Sequence, residues 1–142
     1  MPNDGLLPQA FRTSRRSEMV DVTELVQELV TSQRVTSGMV ILFVPHTTAA
    51  ITINENADAD VKHDLLQKLE TMIPKSEGFY KHAEGNSDSH VKASLVGNSV
   101  TILVEGGQLI LGQWQGIYFC EFDGPRDRQM LVKIINFPTV NN

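Results

Sequence analysis

Apolar and polar positions run in two different rhythms along this chain, and the rhythms place most of its elements. Val22, Leu25, Val26, Leu29 and Val30 recur at helical spacing, so a helix is expected from a cap at Asp21 or Thr23 to about Ser32. A second stripe, Val61, Leu65, Leu69 and Met72, follows Asp58, whose carboxylate can accept the unpaired amides of a first helical turn. Between them, Met39 to Val44 is a continuous β-branched and apolar run stopped by Pro45, which has no amide to give a strand ladder. Ala49 to Ile53 reads as another strand, and Phe11 to Ser17 as an edge strand after a loose start with Pro2, Asn3, Asp4, Gly5 and Pro8. Pro74 to Ser87 is too rich in Gly, Ser, Asn and Lys for a regular element and reads as an irregular excursion. Ser87 or Asp88 can then cap a short helix that ends at Gly97. Ser99 to Val104, Gln108 to Leu111, Gly116 to Phe122 and Met130 to Ile135 follow as strands between Gly-rich or charged turns. No segment repeats at a fixed period, so the expectation is one α+β domain over residues 1–142, with two longer helices and one short one.

Composition narrows the function classes. A chain of 142 residues that is 41% apolar and 20% charged can bury a core without staples. Its formal charge of -5, with no dense Lys/Arg stripe, argues against nucleic acid as a partner. Cys120 is the only cysteine, which excludes an intramolecular disulfide and suits a reducing compartment. No apolar run approaches bilayer length and no secretory leader is visible, so a cytoplasmic protein without a membrane partner is expected.

The histidines are the most informative polar residues. His46 follows Pro45 at a strand-to-loop corner beside Thr47 and Thr48; taken alone it fits a backbone-bonded imidazole as well as a site wall. His82 and His90 bound a stretch of small and polar residues that could fold back and bring both rings together. Three neutral imidazoles at one point would suit zinc or a similar divalent ion with an open position, although the spacing matches no zinc-finger pattern. His63 shares a polar helix face with Asp60, Gln67 and Glu70 and reads as a surface residue. The helix start near Asp88, with Lys92 in its first turns, offers an anion site, but Ser87 and Asp88 read first as simple caps. Asn54, Glu55, Asn56, Asp58 and Asp60 do not have calcium-loop spacing, and helix initiation accounts for most of them. Arg126 and Arg128 follow the Asp123-Gly124-Pro125 turn, where a planar guanidinium can grip a phosphate or carboxylate, or simply pair within a solvated hairpin tip. Trp114 between two glutamines is expected in a core or subunit interface.

Five blocks then carry a resemblance: His46-Thr47-Thr48-Ala49-Ala50, Ile53-Asn54-Glu55-Asn56, the His82 to His90 stretch, Leu111-Gly112-Gln113-Trp114-Gln115, and Glu121-Phe122-Asp123-Gly124-Pro125-Arg126. In this order they resemble the YjbQ-like, secondary thiamine-phosphate synthase family, with Gln113 standing where that pattern has threonine. The resemblance implies a two-layer α+β fold with a largely antiparallel sandwich-like core, a homotrimer, and a divalent metal held by His46, His82 and His90. It further implies a weak thiamine-phosphate synthase activity, joining hydroxymethylpyrimidine diphosphate to thiazole phosphate with release of diphosphate. Thr47, Asn54, Lys92 and Arg126 are the expected contacts to a small phosphorylated substrate, and Glu84, Asp88 and Arg126 the expected catalytic groups. The same parts would serve a metal-assisted phosphate-ester hydrolase with Glu84 or Asp88 as base, or a trimer that binds metal and ligand without turnover.

Overall fold

The structure is a computed structural model and describes residues 5–138. Its elements run β1 (Leu6–Arg12), β2 (Glu18–Asp21), α1 (Thr23–Ser32), β3 (Ser37–Phe43), β4 (Ala49–Glu55), α2 (Ala59–Met72), α3 (Ser87–Val96), β5 (Ser99–Glu105), β6 (Gln108–Leu109), β7 (Gln115–Glu121) and β8 (Asp127–Asn136). The strands form two antiparallel sheets, one in the order β1-β8-β3-β5-β6 and one in the order β2-β7-β4. This is the α+β sandwich expected from the sequence.

Strand alternation explains how the sheets face one another. Val40, Leu42, Ile102, Val104, Met130 and Val132 point inward from the larger sheet and meet Ala49, Ile51, Ile117 and Phe119 from the smaller one. Val26 and Val30 of α1 complete this core, and the stripe that predicted the helix is the face that is buried. On the other face of the smaller sheet, Ala50, Tyr118, Cys120 and Phe122 pack with Ala93 of α3 and with Leu65, Leu66 and Leu69 of α2. The two faces of β4 and β7 are therefore both covered, which is why β7 is buried at every position from Gly116 to Glu121 and β4 from Ala49 to Ile51.

Local signals and tertiary pairing divide the boundaries between them. Asp58 caps α2 as expected, accepting from the Asp60 amide at 2.9 Å, and Gly97 closes α3 with a φ of 103°. Residues 13–17 do not continue the first strand. It starts earlier, at Leu6, and stops at Arg12, because β8 offers it a partner from Leu6 opposite Lys133 to Arg12 opposite Asp127. Pro8 is accommodated because β1 is an edge strand. Pro2, Asn3 and Asp4 lie outside the described residues. The expected short helix, α3, has ten residues, the same length as α1. Met72 and Trp114 are both 56% exposed in the chain, so neither is a core residue.

Candidate functional site

Three connections converge at one end of the sandwich: the β3–β4 loop with His46, the excursion before α3 with His82, and the β7–β8 turn with Arg126. The first is positioned by an interrupted ladder. β3 pairs with β8 as far as Phe43 opposite Leu131, and Pro45 then ends the strand. The next β8 amide facing that side, Gln129, donates instead to His46 Nε2 at 2.9 Å. An amide only donates, so Nε2 is unprotonated and the neutral ring carries its proton on Nδ1. Burial, followed by the positive charge of Arg128, pushes the His46 pKa below its ordinary value and keeps the ring neutral.

Beneath His46 lies a buried ionic platform. Arg128 Nε donates to Glu121 Oε1 at 2.7 Å, and a second guanidinium nitrogen donates to Glu121 Oε2 and to Thr48 Oγ1, the latter at 2.8 Å. Thr13 Oγ1 and the Asp123 amide add bonds to the same carboxylate at 2.7 and 3.0 Å. Burial alone would raise the Glu121 pKa; the donors from Arg128, Thr13 and Asp123 outweigh it and hold the carboxyl below the ordinary range. Arg128 thus ties β8 to the His46-Thr47-Thr48 corner.

His82 and His90 meet edge to face with ring centroids 5.2 Å apart, as the sequence suggested they could. Glu84 Oε1 lies 4.0 Å from His82 Nε2. Across from them Arg126 is held by Asp123, with Nε donating to the Asp123 carbonyl at 2.8 Å and Nη2 to its carboxylate at 2.9 Å. Asn86, at the N-cap of α3, donates to the same carboxylate at 2.7 Å. A cleft of about 430 Å³ results, lined by His46, Thr47, His82, Glu84, His90 and Arg126 among others. A neighbouring cleft of about 440 Å³ shares His46, Thr47 and His90 and continues to Ser94 and Asn98.

The structure does not bring Asp88, Lys92 or Asn54 into the histidine cleft. Asp88 and Lys92, 0% and 1% exposed, belong to a buried ion cluster beneath α3. Asp88 receives both forks of Arg16 at 3.0 and 3.1 Å and the Lys92 ammonium at 3.1 Å, and Lys92 also reaches Glu70 at 2.7 Å. Neither carboxylate oxygen of Asp88 is free to take a proton from a ligand. The cluster instead anchors the helix that carries His90. Asn54 lines an apolar crevice under α2 with Leu65, Leu69 and Cys120. His63 is exposed and pairs with Asp64, as expected of a surface residue. Thr13, Arg16 and Asn86 carried no local signal of a site role, because their partners Glu121, Asp88 and Asp123 are distant in sequence; Glu121 and Asp123, whose partners Arg128 and Arg126 are close by, were visible only as part of a charged turn.

For a divalent metal, the donor chemistry fits in part. The rings of His82 and His90 lie together and, among the described residues, neither makes a hydrogen bond to protein; Glu84 approaches His82 to 4.0 Å. His46 differs, since its Nε2 lone pair is already engaged by Gln129. Among the described residues no three His, Cys, Asp or Glu groups converge as a ligand set.

With this geometry in hand, comparison with known proteins is decisive for ancestry. The model of the UPF0047 protein YjbQ-like family matches residues 9–137. The chain belongs to that family. A UPF0047 protein of Methanocaldococcus jannaschii is 51% identical over 130 residues, covering 92% of this chain and 94% of the relative. YugU of Bacillus subtilis, also a UPF0047 protein, is 49% identical, covering 88% of this chain and 95% of the relative. A crystal structure of a YjbQ/UPF0047 family protein from Clostridium acetobutylicum superposes with a TM-score of 0.88 at 54% identity, covering 91% of this chain and 99% of that one. This YjbQ-like chain has no helix, among the described residues, long and apolar enough to cross a membrane.

Proposed function

We propose that this YjbQ-like protein is a metal-dependent enzyme acting on small phosphorylated substrates, with thiamine-phosphate synthase activity as the reaction to test first. The observation that carries the reading is the single cleft in which Arg126, Thr47 and Glu84 share walls with His46, His82 and His90. His82 and His90 are the residues that would hold the metal, and a bound divalent cation would neutralise charge on phosphate oxygens. Arg126 directs two of its nitrogens to Asp123 and is half exposed, so its remaining edge serves an anionic group of the substrate. The Thr47 hydroxyl, exposed at the rim, supplies a further contact. In the synthase reaction these residues bind and orient the two precursors while diphosphate departs.

Glu84 favours a second reading. Its largely exposed carboxylate beside His82 suits a general base, which a phosphate-ester hydrolase needs and diphosphate release does not. The proposal further includes a cytoplasmic homotrimer. Supporting the trimer, the outer face of the larger sheet carries exposed Phe43 and Leu103 beside half-buried Met39, Ile41, Leu131 and Ile135. Supporting the compartment, the one cysteine is buried and its thiol pKa is pushed up to about 12 by burial, so it has no role in disulfide chemistry.

The test is zinc analysis of the purified protein together with turnover of the two thiamine precursors and of simple phosphate esters. Zinc lost in His82→Ala and in His90→Ala, kept in His63→Ala, and precursor turnover that follows the zinc content support the synthase. Turnover of esters alone selects the hydrolase; binding without turnover of either class refutes an enzyme.

A further inference from the structure

The identity of the atom that His46 presents to the cleft follows from its backbone partner. We infer that His46 is a hydrogen-bond donor to an oxygen of a bound anion, acting through Nδ1–H, and is not a metal ligand. The assignment rests on the phosphorylated-substrate reading above, and it redistributes the three histidines into a pair and a single donor.

The argument is one of lone pairs. A neutral imidazole has one lone pair on the unprotonated nitrogen and one N–H on the other. Gln129 N–H uses the lone pair of Nε2 at 2.9 Å. Metal binding through Nε2 would break that bond and strand a β8 amide, which lies where β3 has already turned away at Pro45. Metal binding through Nδ1 would require that nitrogen to lose its proton while Nε2 stays unprotonated, leaving an imidazolate. Both routes are costly. Donation from Nδ1–H needs no rearrangement. Among the described residues the ring makes no second hydrogen bond, and the only buried side-chain polar atom left without a partner is Asn86 Oδ1, so Nδ1 is not sealed off.

The surroundings favour an anionic acceptor: of the two carboxylates that line the cleft, Asp123 is spent on Arg126 and Asn86, and Glu84 stands beside His82. The ring lines the cleft that holds Arg126, and its neighbours Thr47 and Thr48 belong to the same corner. Arg128, buried below and clamped between Glu121 and Thr48, sets that corner and adds positive charge near the ring. The preference for a neutral donor agrees with the depressed His46 pKa.

The experiment uses the full chain with zinc and inorganic phosphate as probes. Long-range ¹H–¹⁵N correlation spectra should give His46 the neutral Nδ1–H tautomer, unchanged on adding zinc, while any zinc-dependent shifts fall on His82 and His90. His46→Ala should keep the zinc stoichiometry of the parent and weaken phosphate binding about tenfold or more, the loss expected for a donor to a charged acceptor. His46→Asn, whose amide nitrogen lies as many bonds from Cβ as Nδ1, should recover most of that affinity. An Nε2–H tautomer, a zinc-induced shift at His46, zinc loss in His46→Asn, or unchanged phosphate affinity in His46→Ala would each overturn the assignment. Failure of the enzyme reading is separate, because tautomer and phosphate affinity are read without turnover.

Discussion

Replacing Arg128 by methionine isolates the electrostatics beneath the candidate site. The substitution keeps much of the aliphatic stem and removes the cation from Glu121, which is fully buried and, among the described residues, is otherwise bonded by Thr13 and the Asp123 amide alone. Leaving one partner of a buried ion pair uncompensated costs about 3–5 kcal/mol, and the lost bond to Thr48 falls within the same range. For a chain of this size about 3 kcal/mol corresponds to a fall in melting temperature of roughly 10 °C. The pH dependence gives the sign. In the parent, Glu121 has a depressed folded pKa, so its contribution is present above the unfolded carboxylate value and is lost as pH falls through the folded one. In Arg128→Met burial is no longer offset, the folded pKa rises above the unfolded value, and protonation relieves the buried charge. The stability gap between parent and variant should therefore be widest near neutral pH and narrow toward about pH 4. Urea unfolding followed by circular dichroism at fixed protein concentration, at several pH values, measures it. The double variant Glu121→Gln/Arg128→Met should recover a large part of the loss. A gap under about 1 kcal/mol at neutral pH, or one that does not change with pH, would refute the reasoning.

Three further outcomes follow from the same structure. Asp88→Asn strands Lys92 and Arg16 beneath α3 and should cost about 3 kcal/mol or more in urea unfolding; because the hydrogen bonds of Arg16 and Lys92 overcome burial to depress the Asp88 pKa, the parent should lose this contribution as pH falls through that depressed value. Gly38→Ala drives a Cβ into the Ile135 carbonyl oxygen, a backbone atom, so β3 and β8 must separate locally and stability in urea unfolding should drop by about 1–3 kcal/mol. Phe43→Glu/Leu103→Glu puts charges on the outer face of the larger sheet and should convert the proposed trimer to monomer in sedimentation, whereas a parent chain that sediments as a monomer at micromolar concentration removes the trimer.

Much of the fold was legible because its signals are local. The stripe from Val22 to Val30 is a helix since burying one face requires that spacing, and Asp58 and Gly97 mark ends because a cap depends on adjacent backbone. The start of β1 was not legible: Leu6 to Arg12 is extended only because β8 lies alongside, and Pro8 on a free edge is invisible to a local reading. At the site, the meeting of His82 with His90 and the presence of His46 and Arg126 in one cleft agree with the blocks seen in the sequence.

What the sequence determined by itself, then, was which residue types reach the end of the sandwich: three imidazoles, a threonine corner and an arginine after a tight turn. What only the tertiary structure decided was the state of each. Asp88 and Lys92 look like an acid and an anion site at a helix start, yet Arg16, far away in the chain, turns them into a buried anchor. His46 looks equivalent to the other histidines, yet the Gln129 amide, exposed where Pro45 ends β3, takes one of its nitrogens and leaves the proton on the other. Both outcomes depend on partners separated by tens of residues. A side chain's chemistry is set by what saturates its lone pairs and charges, and that is a property of the folded contacts rather than of the neighbouring letters.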